Sequence, residues 1–454
     1  MKQKILNLLI GALFTATAAA QPEFVFEHFN VTSAPIFNGN NFKSVAVGRF
    51  GKIWAGSQYH GIVKYDPVLN SWSTSLDLRN VLITDIKRGN DEEVWMAQAG
   101  QSGTQGGGSN IAGGVNKFLG YGSMLTTAFY TITAPGGLTS RNARSVWVDE
   151  NHRGTDRKYR VWVAQGTYIT SNNTTAGGIS VGVNSTPNYF TKIYKGLQVT
   201  PNVPAAQAGF PNCIAVGGNE TEVWVCALAN FGRSQILRYR ADDPGTFIGY
   251  YDYTNTPGLS AGFRANAIFF DAQGRGWLGL NEGGLRIKTS EGWKTMNDAS
   301  VIPAFTNINP NAITQDERGY IYFGTSAGVL IYKGGPVDLA ASYQMVTVSD
   351  GLPTNAINGV AADTVNNRII LAHTAGISFM KFNKKINFSL EWDHSFPKLN
   401  IKPVGVAADG ASRLYVKVSR AAGITMGIKK IALTVKNAAA QTSTIAGKVK
   451  KALE

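Results

Sequence analysis

The chain has 454 residues, 44% hydrophobic, 11% aromatic and only 16% charged, with 51 Gly, 16 Pro and two Cys. That composition excludes a disordered tail, a coiled coil and a disulfide-stapled miniprotein. A formal charge of +14 favours acidic partners, among them polyanionic glycans, nucleic acid and anionic surfaces, and says nothing about fold.

Met1 to Lys4 form a positive start, Ile5 to Phe14 an apolar run, and Ala18-Ala19-Ala20 before Gln21 offers small residues to a signal peptidase. The reading is a signal peptide over 1–20 and a periplasmic or secreted mature chain. The apolar run falls short of the ~20 residues of a membrane anchor, and no later stretch reaches that length. No Cys follows the cleavage site to carry a lipid. Neither a membrane span nor a lipid anchor is expected.

Beyond the leader, one unit recurs: a β run, a turn, a second β run carrying an aromatic, a polar loop, then Gly and a third β run. The clearest copies are Ser44 to Tyr65 (SVAVGRFGKIWAGSQYHGIVKY), Ala267 to Ile287 (AIFFDAQGRGWLGLNEGGLRI) and Ala312 to Tyr332 (AITQDERGYIYFGTSAGVLIY). The anchors, in order, are Trp54, Trp95, Trp162, Trp224, Trp277, Tyr322 and Ile370. Their mean spacing of about 53 residues, shortening to about 45 where loops are short, suits four strands per propeller blade. Seven anchors at one position imply packing between neighbouring sheets rather than a row of stacking platforms. The expected fold is all-β, a seven-bladed β-propeller over 21–385, with eight blades as the alternative. Phe24 to Asn30 (FVFEHFN) precedes the first unit without a blade of its own, so it is expected to pair with the last blade and close the ring.

These units resemble the two-component regulator propeller repeat, whose pattern is an Asp-x-x-Gly turn, an aromatic-led strand, and Gly before the next strand. The matching residues are Asp271, Gly274, Trp277, Gly279, Gly284 and Leu285, then Asp316, Gly319, Tyr322, Gly324, Gly328 and Val329. The resemblance covers about residues 24 to 382. It implies an extracytoplasmic sensor-type propeller, here without the membrane helix and kinase that usually accompany it, and so a binding role rather than direct signalling.

From Phe388 onward the pattern changes. Val404 to Asp409, Arg413 to Ser419 and Ile428 to Lys436 read as strands of a small C-terminal β segment, 386–454. It resembles an incomplete immunoglobulin-like module, and an eighth blade is the competing reading.

On a four-stranded meander, the loop entering the first strand and the loop joining the second to the third share one face. Two of the latter are long and polar, Gln98 to Ile111 and Gln165 to Ile179. The former carries a recurring Asn (Asn41, Asn142, Asn212, Asn266, Asn311 and Asn355), read as a broken ring of carboxamides at the channel mouth or as turn caps. Residues that break the symmetry of this face are the candidate ligand contacts: Gln58, Tyr59, His60, Arg144, Tyr168, Asn230, Phe231, Arg233, Arg264, Asn281, Glu282 and His373. Rings that stack beside forked donors suit a glycan or a protein partner, with an acidic partner favoured by charge.

Catalytic signals are weak. Gly178-Ile179-Ser180-Val181-Gly182 matches a nucleophile-elbow string where a strand, not a strand-to-helix turn, is expected. His60, His373 and Glu282 would serve a polysaccharide lyase or hydrolase if they met across the channel. No zinc spacing occurs, and no metal, cofactor or nucleic-acid partner is expected. Cys213 and Cys226 face each other if their hairpin centres on Asn219-Glu220, leaving a disulfide and two buried thiols as alternatives. Three functions follow: a non-catalytic recognition propeller, an enzyme on the same scaffold, or a structural module of a larger surface or secretion assembly.

Overall fold

The computed structural model describes residues 24–74, 82–89, 93–100, 113–119, 126–130, 137–153, 159–166, 168–170, 173–175, 177–182, 190–195, 212–228, 234–244 and 246–382, and five strands between 387 and 447. The expected signal peptide lies outside the described residues. The described residues hold strands and short 3-10 turns and no α-helix. The chain divides into two units, Phe26–Met380 and a second formed by Met1–Val25 with Lys381–Glu454.

In the larger unit each repeat becomes an antiparallel meander. The first comprises Phe42–Val47, Ile53–Ser57, Ile62–Asp66 and Ser71–Thr74, and the second Leu82–Arg88, Glu93–Ala99, Gly114–Leu119 and Thr126–Tyr130. The third has Asn142–Arg153, Tyr159–Gly166, Gly178–Gly182 and Phe190–Lys195, and the fourth Asn212–Gly218, Glu222–Leu228, Ser234–Arg240 and Phe247–Tyr251. Ala265–Phe270, Gly276–Leu280, Leu285–Thr289 and Gly292–Met296 follow, then Ile308–Gln315, Ile321–Thr325, Gly328–Tyr332 and Tyr343–Val346. Ile357–Asp363, Arg368–His373 and Gly376–Phe382 make the last, completed at its outer edge by the N-terminal strand Phe24–Phe29. Each first strand packs against the first strand of the next repeat, and the last packs against the first, so the circuit closes as a β-propeller.

Hydrogen bonding gathers these strands into six sheets, where the sequence reading expects seven separate wedges. Five have four strands. The second and third repeats share one eight-stranded sheet because Asn142, heading the third, pairs with Ala99, ending the second strand of the second. In the smaller unit, Asn387–Trp392, Ile431–Lys436 and Thr442–Gly447 form one sheet, and Pro403–Ala408 with Leu414–Val418 another. Among the described residues these five strands form no further four-stranded meander, so the eighth-blade alternative is not met.

The anchors are core. Trp54, Trp162, Trp277, Tyr322 and Ile370 are wholly buried, and Trp95 and Trp224 nearly so. Burying a tryptophan also buries its N–H, and the Asp-x-x-Gly turn supplies the acceptor. Asp271 Oδ2 receives Trp277 Nε1 at 2.8 Å and Arg275 Nε at 2.6 Å, and in the next repeat Asp316 Oδ2 accepts the Tyr322 hydroxyl at 2.8 Å. Gly274 and Gly319 take φ of 76° and 81°, which the turn requires and side chains resist. Gly279 and Gly324 are needed for closeness: a Cβ there would lie 2.4 Å from Ile308 Cγ2 and 2.8 Å from the Ile357 carbonyl of the next sheet.

Every first strand carries a bulge at the same point in its pairing with the second. The extra residue is Lys43, Thr84, Arg144, Ile214, Asn266 or Asn358, and in the sixth repeat the longer segment 309–312. A bulge re-aims one side chain out of the ladder, and several of these reach the next sheet. Thr84 Oγ1 donates to the Ala143 carbonyl at 2.9 Å, Asn266 Nδ2 to Ile308 at 2.9 Å, Asn309 Nδ2 to Ile357 at 2.6 Å and Asn358 Nδ2 to Phe42 at 2.7 Å. In three repeats the following residue also ties to the next sheet: Ser44, Asp85 and Ser145 accept the backbone N–H of Ile86, Val146 and Val216.

Truncating a stitch leaves a carbonyl in the ring without its donor, which costs about 1–3 kcal/mol. Asn266→Ala and Asn358→Ala should each lower urea-unfolding stability by that amount. A loss below about 0.5 kcal/mol, the level of an ordinary surface change, would remove the stitches from the account of ring closure.

Candidate recognition face

The two long polar loops grow from carboxamides buried in rigid strands. Gln98 Oε1, ending the second strand of the second repeat, accepts from Asn116 Nδ2 at 2.6 Å. Gln165, its counterpart in the third repeat, accepts from Thr139 Oγ1 at 2.7 Å and Ser180 Oγ at 2.6 Å, and its Nε2 donates to the Ser140 carbonyl at 2.8 Å. Ser180 is the serine of the nucleophile-like string. It is buried in the strand Gly178–Gly182 and committed to this network, so no strained elbow presents it.

Several of the other candidate residues are among those described. Gln58 Oε1 accepts from Asn41 Nδ2 at 2.5 Å, Tyr59 is held at a φ of 102°, and exposed His60 donates its backbone N–H to Ser57 Oγ at 2.7 Å. Asn281 donates its backbone N–H to the carbonyl of exposed Arg264 at 2.9 Å, and exposed Glu282 donates its own to Asn307 Oδ1 at 3.1 Å. Arg144 is half-buried at a bulge. Asn230, Phe231 and Arg233 lie outside the described residues, as does the side chain of Tyr168.

The six recurring asparagines do not stand at one level. Asn41, Asn142 and Asn212 precede their bulges by two residues, Asn266 occupies one, and Asn311 belongs to the long bulge of the sixth repeat. Asn355 caps a turn, accepting Val348 N–H at 2.9 Å. The ring that the sequence spacing drew is displaced to the bulge position, where Asn309 and Asn358 were missed. Their signal is the pairing register, which spacing alone does not carry.

Cys213 and Cys226 are free and buried. The bulge at Ile214 pairs Cys213 with Ala227 and Cys226 with Ala215, breaking the facing register that a disulfide would use. Burial pushes both thiols up, Cys226 to about 12, so neither is a reactive thiolate.

His373 does not stand open to the channel. Ala375 N–H donates to its Nδ1 at 3.2 Å, so Nε2 carries the hydrogen and donates to Ser378 Oγ at 2.6 Å. The Ser378 hydroxyl then donates to His28 Nδ1 at 2.7 Å, and His28 Nε2 donates to the Gly351 carbonyl at 3.2 Å. This relay ties the closing N-terminal strand to the last sheet and occupies both ring nitrogens of His373. His60 in the first repeat and Glu282 in the fifth are exposed, whereas His373 is buried. Among the described residues, no group of three or more His, Cys, Asp or Glu is placed to hold a metal ion.

A cavity of about 280 Å³ runs along the axis between the later residues of the first strands, lined by Lys87, Trp147, Phe269, Phe270, Asn311 and Val360 among others. Of the residues singled out in the sequence it holds Asn311 alone. Asn311 Nδ2 crosses from the sixth repeat to the Arg144 carbonyl of the third at 3.0 Å. At just under the ~300 Å³ of small-molecule sites, this space is a poor fit for a large ligand.

The fold is shared with solved structures. The chain is similar to the extracellular domain of the hybrid two-component system protein BT3049 from B. thetaiotaomicron, at TM-score 0.54 and 14% identity over 93% of this chain and 54% of that one. It is also similar to PorZ, a surface component of the type-IX secretion system of Porphyromonas gingivalis, at TM-score 0.51 and 13% identity over 90% of this chain and 59% of that one. Ycf48 bound to the D1 peptide matches at TM-score 0.51 and 10% identity, over 81% of this chain and 98% of that one. The chain thus spans about half the length of the first two. At these identities the likeness establishes a β-propeller and no more. The sequence matches no family model and no curated protein. Among the described residues no helix is long and apolar enough to cross a membrane.

The relay predicts a pH dependence. Burial, then the charge of His28, lowers the His373 pKa from 6.5 to about 3. The unfolded chain therefore takes up a proton below pH 6.5 that the folded chain refuses, so this contribution is fully present above pH 6.5 and is lost as pH falls towards 3. Denaturant melts from pH 6.5 to 4.5 should show an extra loss of about 1.4 kcal/mol per pH unit relative to His373→Gln. Parallel slopes for the two proteins would contradict the buried neutral imidazole.

Proposed function

We propose that this chain is an exported recognition propeller of seven four-stranded blades, two of them joined through Asn142, that presents its polar-loop face to a glycan or a protein partner without catalysing a reaction on it. The observation that carries the reading is the rooting of both long loops. Gln98 and Gln165 are buried and hydrogen-bonded at the bases of segments rich in Gly, Ser, Thr, Asn and Gln, an arrangement that puts adaptable polar groups on a rigid platform. Gln58, Tyr59, His60, Arg144, Arg264, Asn281 and Glu282 belong to the same face, and Tyr168, Asn230, Phe231, Arg233 and His373 were read with them from the sequence.

Export is supported by the leader-like start and by the extracellular setting of the similar BT3049 domain. An enzyme would need His373 as acid or base, and the Ser378–His28 relay already engages it, which favours recognition. The similarity to PorZ supports a second reading, a module of a surface assembly to which the C-terminal β strands contribute.

A glycan array run in parallel with a reducing-end assay tests the proposal. Binding without turnover is expected, and replacing 101–111 by a short Gly-Ser turn should weaken it at least tenfold while leaving the melting midpoint in place. Turnover that disappears in both His60→Ala and His373→Ala would establish the enzyme instead.

A further inference from the structure

Among the described residues, nothing accepts a hydrogen bond from the Nε of Arg144. Arg144 is the bulged residue of the third first strand, with its Nε beside Gly166, 3.2 Å from where a Cβ would stand. That Nε is sealed from water and has no hydrogen-bond partner. Burial lowers its pKa, the neighbouring Arg264 lowers it further, and no carboxylate pulls it back. Arg141, on the segment entering the same strand, has a second buried Nε without a partner.

The missing counter-charge is not held by the loops around it. The sequence contains no Asp or Glu between Glu93 and Asp149, nor between Asp156 and Glu220. Those two stretches include both long loops, the segments entering the third and fourth repeats, and Arg141 and Arg144 themselves. Elsewhere the part-buried arginines have acceptors: Arg238, Arg275 and Arg368 pair with Glu222, Asp271 and Asp363, and Arg286 and Arg160 donate to backbone carbonyls. A buried carboxylic acid can shed its charge by taking up a proton, but an arginine does not give up its own, so an unpaired one retains the full cost of desolvation.

A second orphan lies at the same spot. Asn212 Oδ1, from the fourth repeat, sits 2.5 Å from the missing Cβ of Gly166 and is buried without a donor. Asn142 Nδ2 is the third group here, 2.9 Å from the same point, so a guanidinium N–H, a carboxamide donor and a carboxamide acceptor converge on one space. A carboxylate and an adjacent hydroxyl on one ring match these groups, since a guanidinium binds a carboxylate through two parallel N–H bonds.

We propose that Arg144, supported by Arg264 and Asn212, reads the carboxylate of an acidic sugar, so that the ligand of this face is a uronic-acid-bearing saccharide. The inference rests on the recognition face proposed above and deepens it. Gly166 is part of the site, because any side chain there would occupy the space over Arg144 Nε.

Calorimetry with oligogalacturonate and with the same oligomer after reduction of its carboxylates to alcohols tests the inference, alongside thermal melts with and without galacturonate monomer. The acidic oligomer should bind and the reduced one should bind at least tenfold more weakly. Arg144→Met should lose at least tenfold in affinity for the acidic oligomer, Arg144→Lys should recover part of it, and Gly166→Val should abolish it. Without ligand, Arg144→Met should melt at or above the wild-type midpoint, because it removes an unpaired buried charge. A lower midpoint would make Arg144 a structural residue and overturn the inference. Equal binding of the acidic and reduced oligomers would overturn it while leaving the glycan-binding function standing. If no oligomer binds but galacturonate monomer protects wild type and not Arg144→Met, the glycan function falls and the carboxylate site survives. Tighter binding of a peptide through its C-terminal carboxylate would overturn the sugar assignment.

Discussion

The structure depends on the bulge repeated in each first strand. A propeller needs its sheets close at the axis, where seven first strands meet and where ladder hydrogen bonds point along each sheet rather than between sheets. The bulge adds one residue that leaves the ladder, and Thr84, Asn266, Asn309 and Asn358 use it to reach a carbonyl of the next sheet. Where Ser44, Asp85 and Ser145 follow the bulge, they accept a backbone N–H from the next sheet instead. The ring is stitched by side chains, and the closing strand adds the His28–Ser378–His373 relay at the outer edge.

The bulge residue itself does not make the stitch in every repeat. Lys43, Arg144 and Ile214 occupy bulges of the same kind, yet none is a carboxamide able to clasp a carbonyl. Burial lowers the pKa of Lys43 and of Arg144, two cations at bulge positions that elsewhere hold neutral donors. The same sector bears both long loops, rooted by Gln98 and Gln165, and Asn311 reaches across to the Arg144 carbonyl. The bulge is thus one structural device that carries a carboxamide or hydroxyl stitch in some repeats and a cation or an aliphatic side chain in others.

Much of the architecture was legible because it follows from local chemistry repeated along the chain. An Asp-x-x-Gly turn followed by an aromatic-led strand implies a buried ring with its polar handle satisfied by the turn, and Asp271 with Trp277 bears that out. A leading strand without a blade implies closure, and Phe24–Phe29 completes the last sheet. The asparagine ring was drawn one level off because counting residues along a strand does not reveal which one leaves the ladder. The pairing of Cys213 with Cys226 failed for the same reason, a bulge of one residue at Ile214.

The sequence by itself determined the radial all-β plan, since hydrophobic alternation, turn chemistry and the recurrence of one large core residue are properties of each repeat alone. It also determined that neither long loop carries an acid, since no Asp or Glu occurs between Glu93 and Asp149 or between Asp156 and Glu220. Only the tertiary structure decided that the second and third repeats share a sheet, that His373 is spent on ring closure, and that Arg144 and Asn212 converge without partners. Those outcomes depend on groups from different repeats meeting at the axis, and such meetings are set by register and bulge geometry, which no single repeat encodes.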